Sequence, residues 1–449
     1  MSKTIRVSNG QGFWGDSVDA PYNLVKYGKI DYLTLDYLAE VTLSIMQRQK
    51  IKNQDKGYAT DFIDLMERIM LDIVDKKIKV VTNAGGVNPE VCKSKLIDIS
   101  KKLNVDIKIA IIKGDDILSD VDSLLANGVD FENMDNGDDF QKIKNKVYSA
   151  NAYIDSFSIA KALETGANIV LAGRVSDPGL VVGPAIYEFN WKETDYDKIA
   201  TATLAGHVIE CGAQCSGGNF SGWEEISDLT NVGYPIVTLK DDTSFTISKP
   251  EGSGGLINRY TVIEQVLYEM GDPKRYISPD VVVDFTSFDV SEKSDNVVQI
   301  SGVKGYAPTE TYKVSINYFN GYKAAGQLTV SGPKALEKAE LTAKLIWGRL
   351  KKTGFEFEET LTEFLGFSSC YGPKISEGFS HKEVVLKLSV RDFDRNKIIR
   401  FSKELAPVIT TGPPGITGFS GGRPRPQEII AFWPCLINKK HIKTEVLSN

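Results

Sequence analysis

The densest group of side chains that can do chemistry lies in residues 206–220. This run contains His207, Glu210 and Cys211 close together. An imidazole and a carboxylate can transfer protons, and a thiol beside a histidine can act as a nucleophile. We therefore expect His207, Glu210 and Cys211 to be catalytic. Two polar side chains further along the run are expected to bind substrate: Ser216 and Asn219.

A metal site is one alternative for this run, because it also contains Cys215. Structural zinc sites need a second pair of ligands at short spacing, and here His207 is the only histidine near the two cysteines. The sequence therefore predicts no metal site, and it identifies no cofactor. The other alternative is that the two thiols are simply buried in the core, with no chemical role.

A second candidate segment, residues 172–180, follows a strand-like run and combines Arg174 with Asp177 at a rigid turn. A guanidinium can hold a carboxylate or phosphate through two hydrogen bonds, and a carboxylate can act as a base. The alternative is an internal ion pair between the two, with Asp177 capping the next helix. Ligands of α/β sheets bind beyond the carboxyl ends of the strands. We therefore predict that Asp177 is catalytic and that Arg174 binds substrate.

Two glycine-rich loops also follow predicted strands, at residues 8–16 and 82–89. Such loops can bring backbone N–H groups close to a ligand. Two loops of this kind after two strands favour a shared crevice. Their polar side chains are expected to contact the substrate: Asn9, Gln11 and Asn83.

The first loop also has the G-x-G-x-x-G spacing of a dinucleotide site, at Gly10, Gly12 and Gly15. That fingerprint needs an acidic residue further along the chain to bind the ribose, and Asp31, in a short polar turn, is the candidate. Three interpretations stay open for this loop: a nicotinamide dinucleotide site, a tight turn without a ligand, or a loop for a different ligand.

Asp36 and Glu40 are four residues apart where a strand-like run is expected to become helical. Two carboxylates on one helix face can act as general acid and base or bind a metal. The alternative is the start of a helix, where the macrodipole favours acidic side chains without any function.

A segment rich in glycine and proline, residues 410–426, ends with Arg423 and Arg425. Its composition excludes a helix or a central strand. We expect a loop whose two arginines bind an anionic group of the substrate, with a plain connector or a protein-docking segment as the alternatives.

The elements that position these residues can be predicted from periodicity. Short apolar runs at 80–82, 107–112 and 168–172 predict strands, and helical spacing at 61–75 and 90–103 predicts amphipathic helices. The alternation of the two is typical of an α/β domain with a largely parallel sheet and helices on both faces. We assign this domain to residues 1–195.

Residues 196–449 are expected to form a mixed α+β domain. Asn320-Gly321 lies between two strand-like runs, 314–319 and 324–330, which predicts a β-hairpin. A helix is predicted at 333–351 and a strand at 384–390.

The composition limits the classes of function. The 449 residues carry 53 Lys and Arg against 59 Asp and Glu, a formal charge of −6, which argues against nucleic acid or an anionic membrane as the main partner. No apolar run reaches the ~18 residues of a membrane-spanning helix. The N-terminal segment has no apolar leader, and the five cysteines are odd in number and scattered. We expect free thiols and a cytoplasmic protein.

Taken in order, five motifs resemble the acyclic terpene utilisation family of the AtuA type over almost the whole chain. They are NGQGFWGD from Asn9, TNAGG from Thr82, LAGRVSDP from Leu171, GHVIECGAQCSGGNF from Gly206, and RPRP from Arg423 with FWP from Phe432.

The resemblance implies a role in the catabolism of branched, isoprenoid acyl-CoA compounds. It also implies a small ferredoxin-like partner subunit supplied separately, or a member that works without one. The resemblance identifies no catalytic residues, so the site residues above are predicted from their side-chain chemistry alone.

We therefore expect an enzyme, most plausibly a hydro-lyase or related lyase, that acts on a small acidic or acyl-CoA-type substrate and forms a homo-oligomer. A non-catalytic subunit that binds an acyl-CoA or a partner enzyme is the alternative, and a nicotinamide-linked oxidoreductase is the third hypothesis.

Overall fold

The computed structural model describes residues 3–367, 369–370, 372, 382–418 and 421–448. Its helices are α1 (Ala20–Tyr27), α2 (Thr42–Lys52), α3 (Thr60–Lys76), α4 (Pro89–Leu103), α5 (Val121–Ala126), α6 (Phe157–Glu164), α7 (Gly179–Phe189), α8 (Tyr196–Ile209), α9 (Arg259–Leu267), α10 (Ala335–Lys352), α11 (Arg395–Glu404) and α12 (Val408–Thr411). The strands up to residue 277 are β1 (Thr4–Asn9), β2 (Tyr32–Leu35), β3 (Lys79–Thr82), β4 (Ile109–Lys113), β5 (Val147–Ala152), β6 (Ile169–Leu171), β7 (Ile236–Lys240), β8 (Ser244–Ser248) and β9 (Tyr276–Ile277). The later strands are β10 (Val282–Asp284), β11 (Asp289–Ser294), β12 (Val297–Ser301), β13 (Lys304–Tyr306), β14 (Thr311–Ser331), β15 (Glu359–Leu365), β16 (Glu383–Asp392), β17 (Gln427–Asn438) and β18 (Glu445–Ser448).

The fold is built on a large mixed sheet of ten strands, in the order β11-β12-β8-β7-β1-β2-β3-β6-β4-β18. Its centre is parallel, because β1 pairs with β2, β2 with β3, β3 with β6 and β6 with β4 in parallel register. The flanking strands are antiparallel: β7 pairs with β1, and β18 pairs with β4. The carboxyl ends of the five central strands therefore meet at one edge of the sheet, where an α/β fold places its ligands.

Helices cover both faces of this sheet. Leu33 and Leu35 of β2 belong to a buried cluster that also contains apolar side chains of α1, α3 and α4. Tyr32 and Thr34 alternate with them, are also buried, and point to the opposite face. On that side α6, α7 and α8 pack in sequence, and α7 contacts β2. Strands buried on both faces need near-continuous apolar runs, which β3, β4 and β6 supply.

The predicted α/β elements of the first half are confirmed. The three predicted strands form β3, β4 and β6, and the two predicted helices form α3 and α4, within a few residues of the expected bounds. In the second half, α10 and β16 form where a helix and a strand were predicted.

The predicted hairpin at Asn320-Gly321 is wrong. β14 continues through both residues without reversing, and its second half pairs with β16 from Tyr322 onward. A two-residue type I′ turn needs positive φ at both central residues, and here only Gly321 has it, at 91°. Arg391 of the neighbouring strand donates hydrogen bonds to the backbone and side-chain oxygens of Asn320, which holds this segment in the sheet.

The chain divides into two compact units, Met1–Asn317 with Phe432–Asn449, and Tyr318–Ala431. These bounds differ from the expected division at residue 195. The reason is that β7, β8, β12 and β11 extend the sheet that β1 begins, so the chain beyond residue 195 completes the first unit.

Apart from the one-turn helix α12, the second unit has the element order β14-α10-β15-β16-α11-β17, and its strand order is β15-β16-β14-β17. A β-α-β-β-α-β order of this kind is the ferredoxin-like arrangement. Its core packs alternate residues of β14 and β16, such as Leu328 and Leu388, against Ile346 of α10 and Phe401 of α11. A ferredoxin-like arrangement thus lies within the chain itself. A separate small partner subunit stays a prediction.

Gly206 of α8 sets the closest approach between α8 and the start of α7. A Cβ atom at this position would lie 2.7 Å from Cα of Pro178, which real Cβ atoms do not tolerate. Gly348 of α10 is the contrasting helical glycine, since a Cβ there meets no other atom within 4 Å.

We predict that Gly206→Ala lowers the free energy of unfolding by about 1–3 kcal/mol, because overpacking outweighs the gain in helix propensity. Gly348→Ala is the matched control and should raise it by up to about 1 kcal/mol. Urea denaturation of the three proteins measures both changes. A Gly206→Ala variant as stable as the Gly348→Ala variant would contradict the packing described here.

Candidate active site

Arg174 and Asp177 lie directly after β6, at the edge of the sheet where the carboxyl ends of the five central strands meet. We call this edge the polar edge, and these two residues form its centre. Arg174 is 2% exposed, and its Nη1 donates to Oδ1 of Asp177 at 2.8 Å and to the carbonyl oxygen of Leu38 at 3.2 Å. Its guanidinium also lies 4.2 Å from the ring centroid of Tyr153. The Asp177 side chain is 40% exposed, so it stays accessible. The internal ion pair considered from the sequence does form, but α7 begins at Gly179 with no side-chain cap.

Asp115, which follows β4, fixes the backbone of this turn. Its carboxylate accepts hydrogen bonds from the backbone N–H of Arg174 at 2.8 Å and from the side-chain amide of Asn151 at 3.0 Å. Any side chain at position 173 would clash with the same carboxylate, so Gly173 is required there. Burial raises the pKa of Asp115 to about 6.

Asp36 and Asn83 follow β2 and β3 and are hydrogen-bonded to each other. The Asn83 amide donates to Oδ1 of Asp36 at 2.7 Å, and the Asn83 oxygen accepts from the backbone N–H of Tyr37. Burial, with the nearby charge of Asp177, raises the pKa of Asp36, and Arg174 only partly opposes this. Asp36 is therefore a buried carboxyl at the centre of the site, which the set of predicted site residues lacked.

The expectation that Asp36 and Glu40 share a helix face is wrong. The chain is irregular from residue 36 until α2 begins at Thr42, and Glu40 is exposed. The carbonyl oxygen of Glu40 accepts hydrogen bonds from Ser315 and Asn317, so this segment is held by its backbone.

His207 lies in the last turn of α8 and forms a buried pair with Glu210. Its Nδ1 is 3.0 Å from Oε1 of Glu210, and its Nε2 is 3.2 Å from the carbonyl oxygen of Val266. The ring is 2% exposed and packs against Tyr276 and Phe285. Burial opposes the charged imidazolium, but the Glu210 carboxylate outweighs it and raises the pKa of His207. Burial also raises the pKa of Glu210, so the pair holds protons to higher pH than its members would in water.

A narrow void, too small to hold water, lies between Glu210 of this pair and Asp177. Asp36, Asp177 and Glu210 all line it. Oε2 of Glu210 is buried and has no hydrogen-bond partner among the described residues. The charge of Asp177 further raises the pKa of both Asp36 and Glu210, which shows that the three carboxyl groups interact.

The first glycine-rich loop contacts this region through its backbone. The Asn9 amide donates to the carbonyl oxygens of Gln11 at 2.9 Å and Glu210 at 2.7 Å, and the Gln11 amide donates to that of Phe13. Both side chains therefore hold the loop in place, and substrate contact by them stays a prediction. A Cβ at Gly12 would lie 3.0 Å from the Glu210 carbonyl oxygen, which explains the glycine there.

The geometry of a dinucleotide fingerprint is not found at this loop. The fingerprint places its glycines at the start of a helix, whereas α1 begins only at Ala20. Asp31 precedes β2 rather than following it, and it forms an ion pair with Arg6 at 3.0 Å. Asp31 is therefore not placed to bind the ribose in the way that the fingerprint requires.

Four further residues are expected from the sequence to bind substrate: Ser216, Asn219, Arg423 and Arg425. Ser216 is buried and donates to the carbonyl oxygen of Ala213, while Asn219 is exposed and lines a separate cavity of about 300 Å³. Arg423 and Arg425 are exposed residues of the second unit. Roles in substrate binding for these four stay predictions.

Cys211 follows Glu210 and is partly buried. Burial and the neighbouring Glu210 carboxylate raise the pKa of the Cys211 thiol to about 12, so the reactive thiolate is scarce at neutral pH. All five cysteines of the chain are free thiols. No cluster of three or more possible metal ligands occurs among the residues that the structure describes.

A larger cavity, of about 470 Å³, opens beside Asp177. Sequence reasoning missed most of its lining, including Tyr153, Arg275, Tyr276 and Lys313. These residues come from three distant segments that share no motif, so only the fold brings them together. Ser176, Asp177 and Pro178 line the cavity at the N-terminus of α7, where the helix dipole favours a negative charge.

The raised pKa of Asp36 should make the free energy of unfolding depend on pH. The pKa rises from 3.8 in the unfolded chain to about 8 in the folded protein. Between these values the folded state binds more protons, so the free energy of unfolding falls as the pH rises. For one such group the slope is up to about 1.4 kcal/mol per pH unit.

We therefore predict that Asp36→Asn flattens the decline in stability between pH 5 and about pH 8, measured by urea denaturation at several pH values. Asp31→Asn, at the opposite end of β2, is the control and should leave the slope unchanged. Equal slopes for the wild type and Asp36→Asn would show that Asp36 is already ionised in the folded protein.

Comparisons with known proteins agree with the resemblance found in the sequence. A family model described as "Acyclic terpene utilisation family protein AtuA" matches residues 5–448. No curated protein matches. Among solved structures, S. aureus homoserine dehydrogenase aligns at 8% identity over 86% of this chain and 81% of that one, with a TM-score of 0.13. A score this low carries no argument about fold or function.

No helix in the described part of the chain is both long and apolar enough to cross a membrane. The family match extends over both compact units and contains every residue discussed above. The chain belongs to the acyclic terpene utilisation family, of the AtuA type.

Proposed function

We propose that this protein is an enzyme of the lyase class, a hydro-lyase that adds or removes water on a small acidic or acyl-CoA-type substrate. One observation carries the proposal: Asp177 is an accessible carboxylate that forms an ion pair with a fully buried arginine and lines a ligand-sized cavity. The family's association with terpene utilisation supports a branched acid as the substrate.

Asp177 is the proton-transfer group in this proposal. It takes a proton from the carbon next to the substrate's carboxylate or thioester carbonyl, and a carbon–carbon double bond forms as the hydroxyl leaves the neighbouring carbon. The same proton leaves with the hydroxyl as water, so the reaction needs no oxidant or reductant. Arg174 fixes the direction of the Asp177 carboxylate, because its guanidinium is always charged and donates a hydrogen bond to it.

His207 and Glu210 are positioning residues in this proposal: they influence Asp177 and do not contact the substrate. His207 is buried and makes both of its hydrogen bonds within the protein, so it does not reach the cavity directly. Glu210 lines the void that Asp177 also lines, and their charges interact. The protonation of this pair sets how much negative charge surrounds Asp177.

A cytoplasmic location is also proposed. The five free thiols support it, because a reducing compartment keeps thiols unpaired.

The direct test is turnover of 3-hydroxy-3-methylbutanoate, and of its coenzyme A thioester, to the unsaturated product, followed by the absorbance of the conjugated double bond. We predict that Asp177→Asn lowers kcat by about 10²–10⁴-fold, a typical effect of removing a general base. Ligand-induced stabilisation should be retained, because Asn keeps the shape of the side chain.

His207→Gln should lower kcat less than Asp177→Asn and should shift the pH at which kcat is half-maximal. Asp272→Asn, an exposed change outside the cavity, is the control. Binding of these compounds without turnover in the wild-type protein would favour the non-catalytic acyl-CoA-binding subunit instead.

A separate prediction concerns the thiol. Cys211→Ala should retain more than half of wild-type kcat, because the raised pKa leaves little thiolate to act as a nucleophile. Loss of turnover in Cys211→Ala, with an unchanged melting temperature, would instead support the catalytic role that the sequence predicts for Cys211.

A further inference from the structure

Two basic side chains of the 470 Å³ cavity beside Asp177 have no acidic partner. Lys313 and Arg275 both line the cavity, and neither has a carboxylate within ion-pairing distance in the part of the chain that the structure describes. Asp177 is the one acidic side chain of this lining, and Arg174 already pairs with it. The cavity therefore has an excess of positive charge available to a ligand.

Lys313 is held in place by aromatic rings rather than by an ion pair. Its ammonium lies 5.2 Å from the ring centroid of Tyr153 and 5.4 Å from that of Phe432. Its backbone carbonyl accepts the N–H of Tyr153, which fixes the strand next to that ring. Cation–π contacts orient an ammonium without neutralising it. Lys313 is thus positioned with its charge free to bind an anion.

Beside hydroxyl-bearing residues such as Ser278, Thr309 and Thr311, the rest of the lining contains apolar side chains that are open to water. Met134, Ile277 and Leu436 come from three separate segments, and their exposed fractions are 51%, 52% and 47%. Large apolar side chains gathered around one cavity favour a ligand whose own apolar surface removes them from water. The ring of Tyr276 adds a further apolar surface, and it stacks on Phe285 at 4.7 Å.

We propose that this cavity binds a molecule with an anionic head group and an apolar body. Lys313 and Arg275 bind the head group, and Met134, Ile277 and Leu436 pack against the body. The inference rests on the proposed function only in placing the reacting carbon near Asp177, since binding itself needs no catalysis. A carboxylate and a phosphate share this chemistry, and the experiment separates them.

Isothermal titration calorimetry tests the proposal with three probes: 4-methylpentanoate, its neutral amide 4-methylpentanamide, and 3-methylbutyl phosphate. We expect one or both anions to bind and the amide to bind at least about tenfold more weakly, because charge-assisted hydrogen bonds are lost. Binding of the carboxylate alone, or of the phosphate alone, identifies the head group. An amide that binds as tightly as the anions overturns the proposal.

Variants then locate the site. Lys313→Met should weaken anion binding at least about tenfold, and Lys313→Arg, which keeps the charge, should restore most of it. Lys274→Met removes an exposed charge next to Arg275 but outside the lining, and it should bind like the wild type. If Lys313→Met lowers the melting temperature, Arg275→Met provides the same test at an exposed position.

Different results would contradict the assignment of this cavity and the proposed lyase activity. Equal weakening by Lys274→Met and Lys313→Met, or no binding of either anion to the wild type, overturns the assignment of this cavity. Tight anion binding that depends on Lys313, together with no turnover, leaves the cavity assignment intact and contradicts the lyase proposal. Asp177→Asn should still bind the anion, which separates the binding residues from the reacting one.

Discussion

A single buried cation, Arg174, is the constraint on which the polar edge depends. An arginine that is 2% exposed must be paired, because an isolated charge costs several kcal/mol to remove from water. Asp177 pairs with it directly, while Asp115 holds its backbone and Asp36 lies close enough for their charges to interact. Asp177 and Asp36 thus interact with one guanidinium, and Asp115 fixes the backbone that carries it. In this arrangement burial raises the pKa of Asp36, so Asp36 is the group that holds a proton.

The chemistry of the edge follows from how unequally these carboxyl groups are buried. Asp36 and Glu210 are enclosed and interact with the charge of Asp177, so their pKa values are raised. Asp177 is 40% exposed and faces the cavity, so it is the group that a substrate can reach. Environments that set neighbouring carboxyl groups to different protonation states are typical of acid–base sites.

The sequence predicts helices and strands well where the local pattern of apolar residues determines them. It predicts them poorly where pairing with a distant part of the chain determines them. β3, β4, β6, α3 and α4 follow from apolar periodicity, because each buries its own pattern. The hairpin at Asn320-Gly321 fails because β14 gains more from pairing with β16 than the local turn signal can offset. The position of Arg174 and Asp177 after a buried strand predicts that they lie at the edge of the sheet. The pattern around Asp36 predicts a helix shared with Glu40, as an acid–base pair, a metal site or a plain helix start. Lys313 and Tyr153 carry no motif, so only the tertiary fold brings them to the cavity.

Exchange of ligand hydrogens for solvent deuterium tests most directly whether Asp177 takes a proton from a carbon atom of the ligand. The protein is incubated in D₂O with the coenzyme A thioester of 4-methylpentanoate, which lacks the hydroxyl group and so cannot eliminate water, and the hydrogens next to the carbonyl are followed by proton NMR. The account predicts that the wild-type protein catalyses loss of this signal and that Asp177→Asn does not. Equal rates for the wild type and Asp177→Asn, or no exchange with a thioester that is shown to bind, would contradict it.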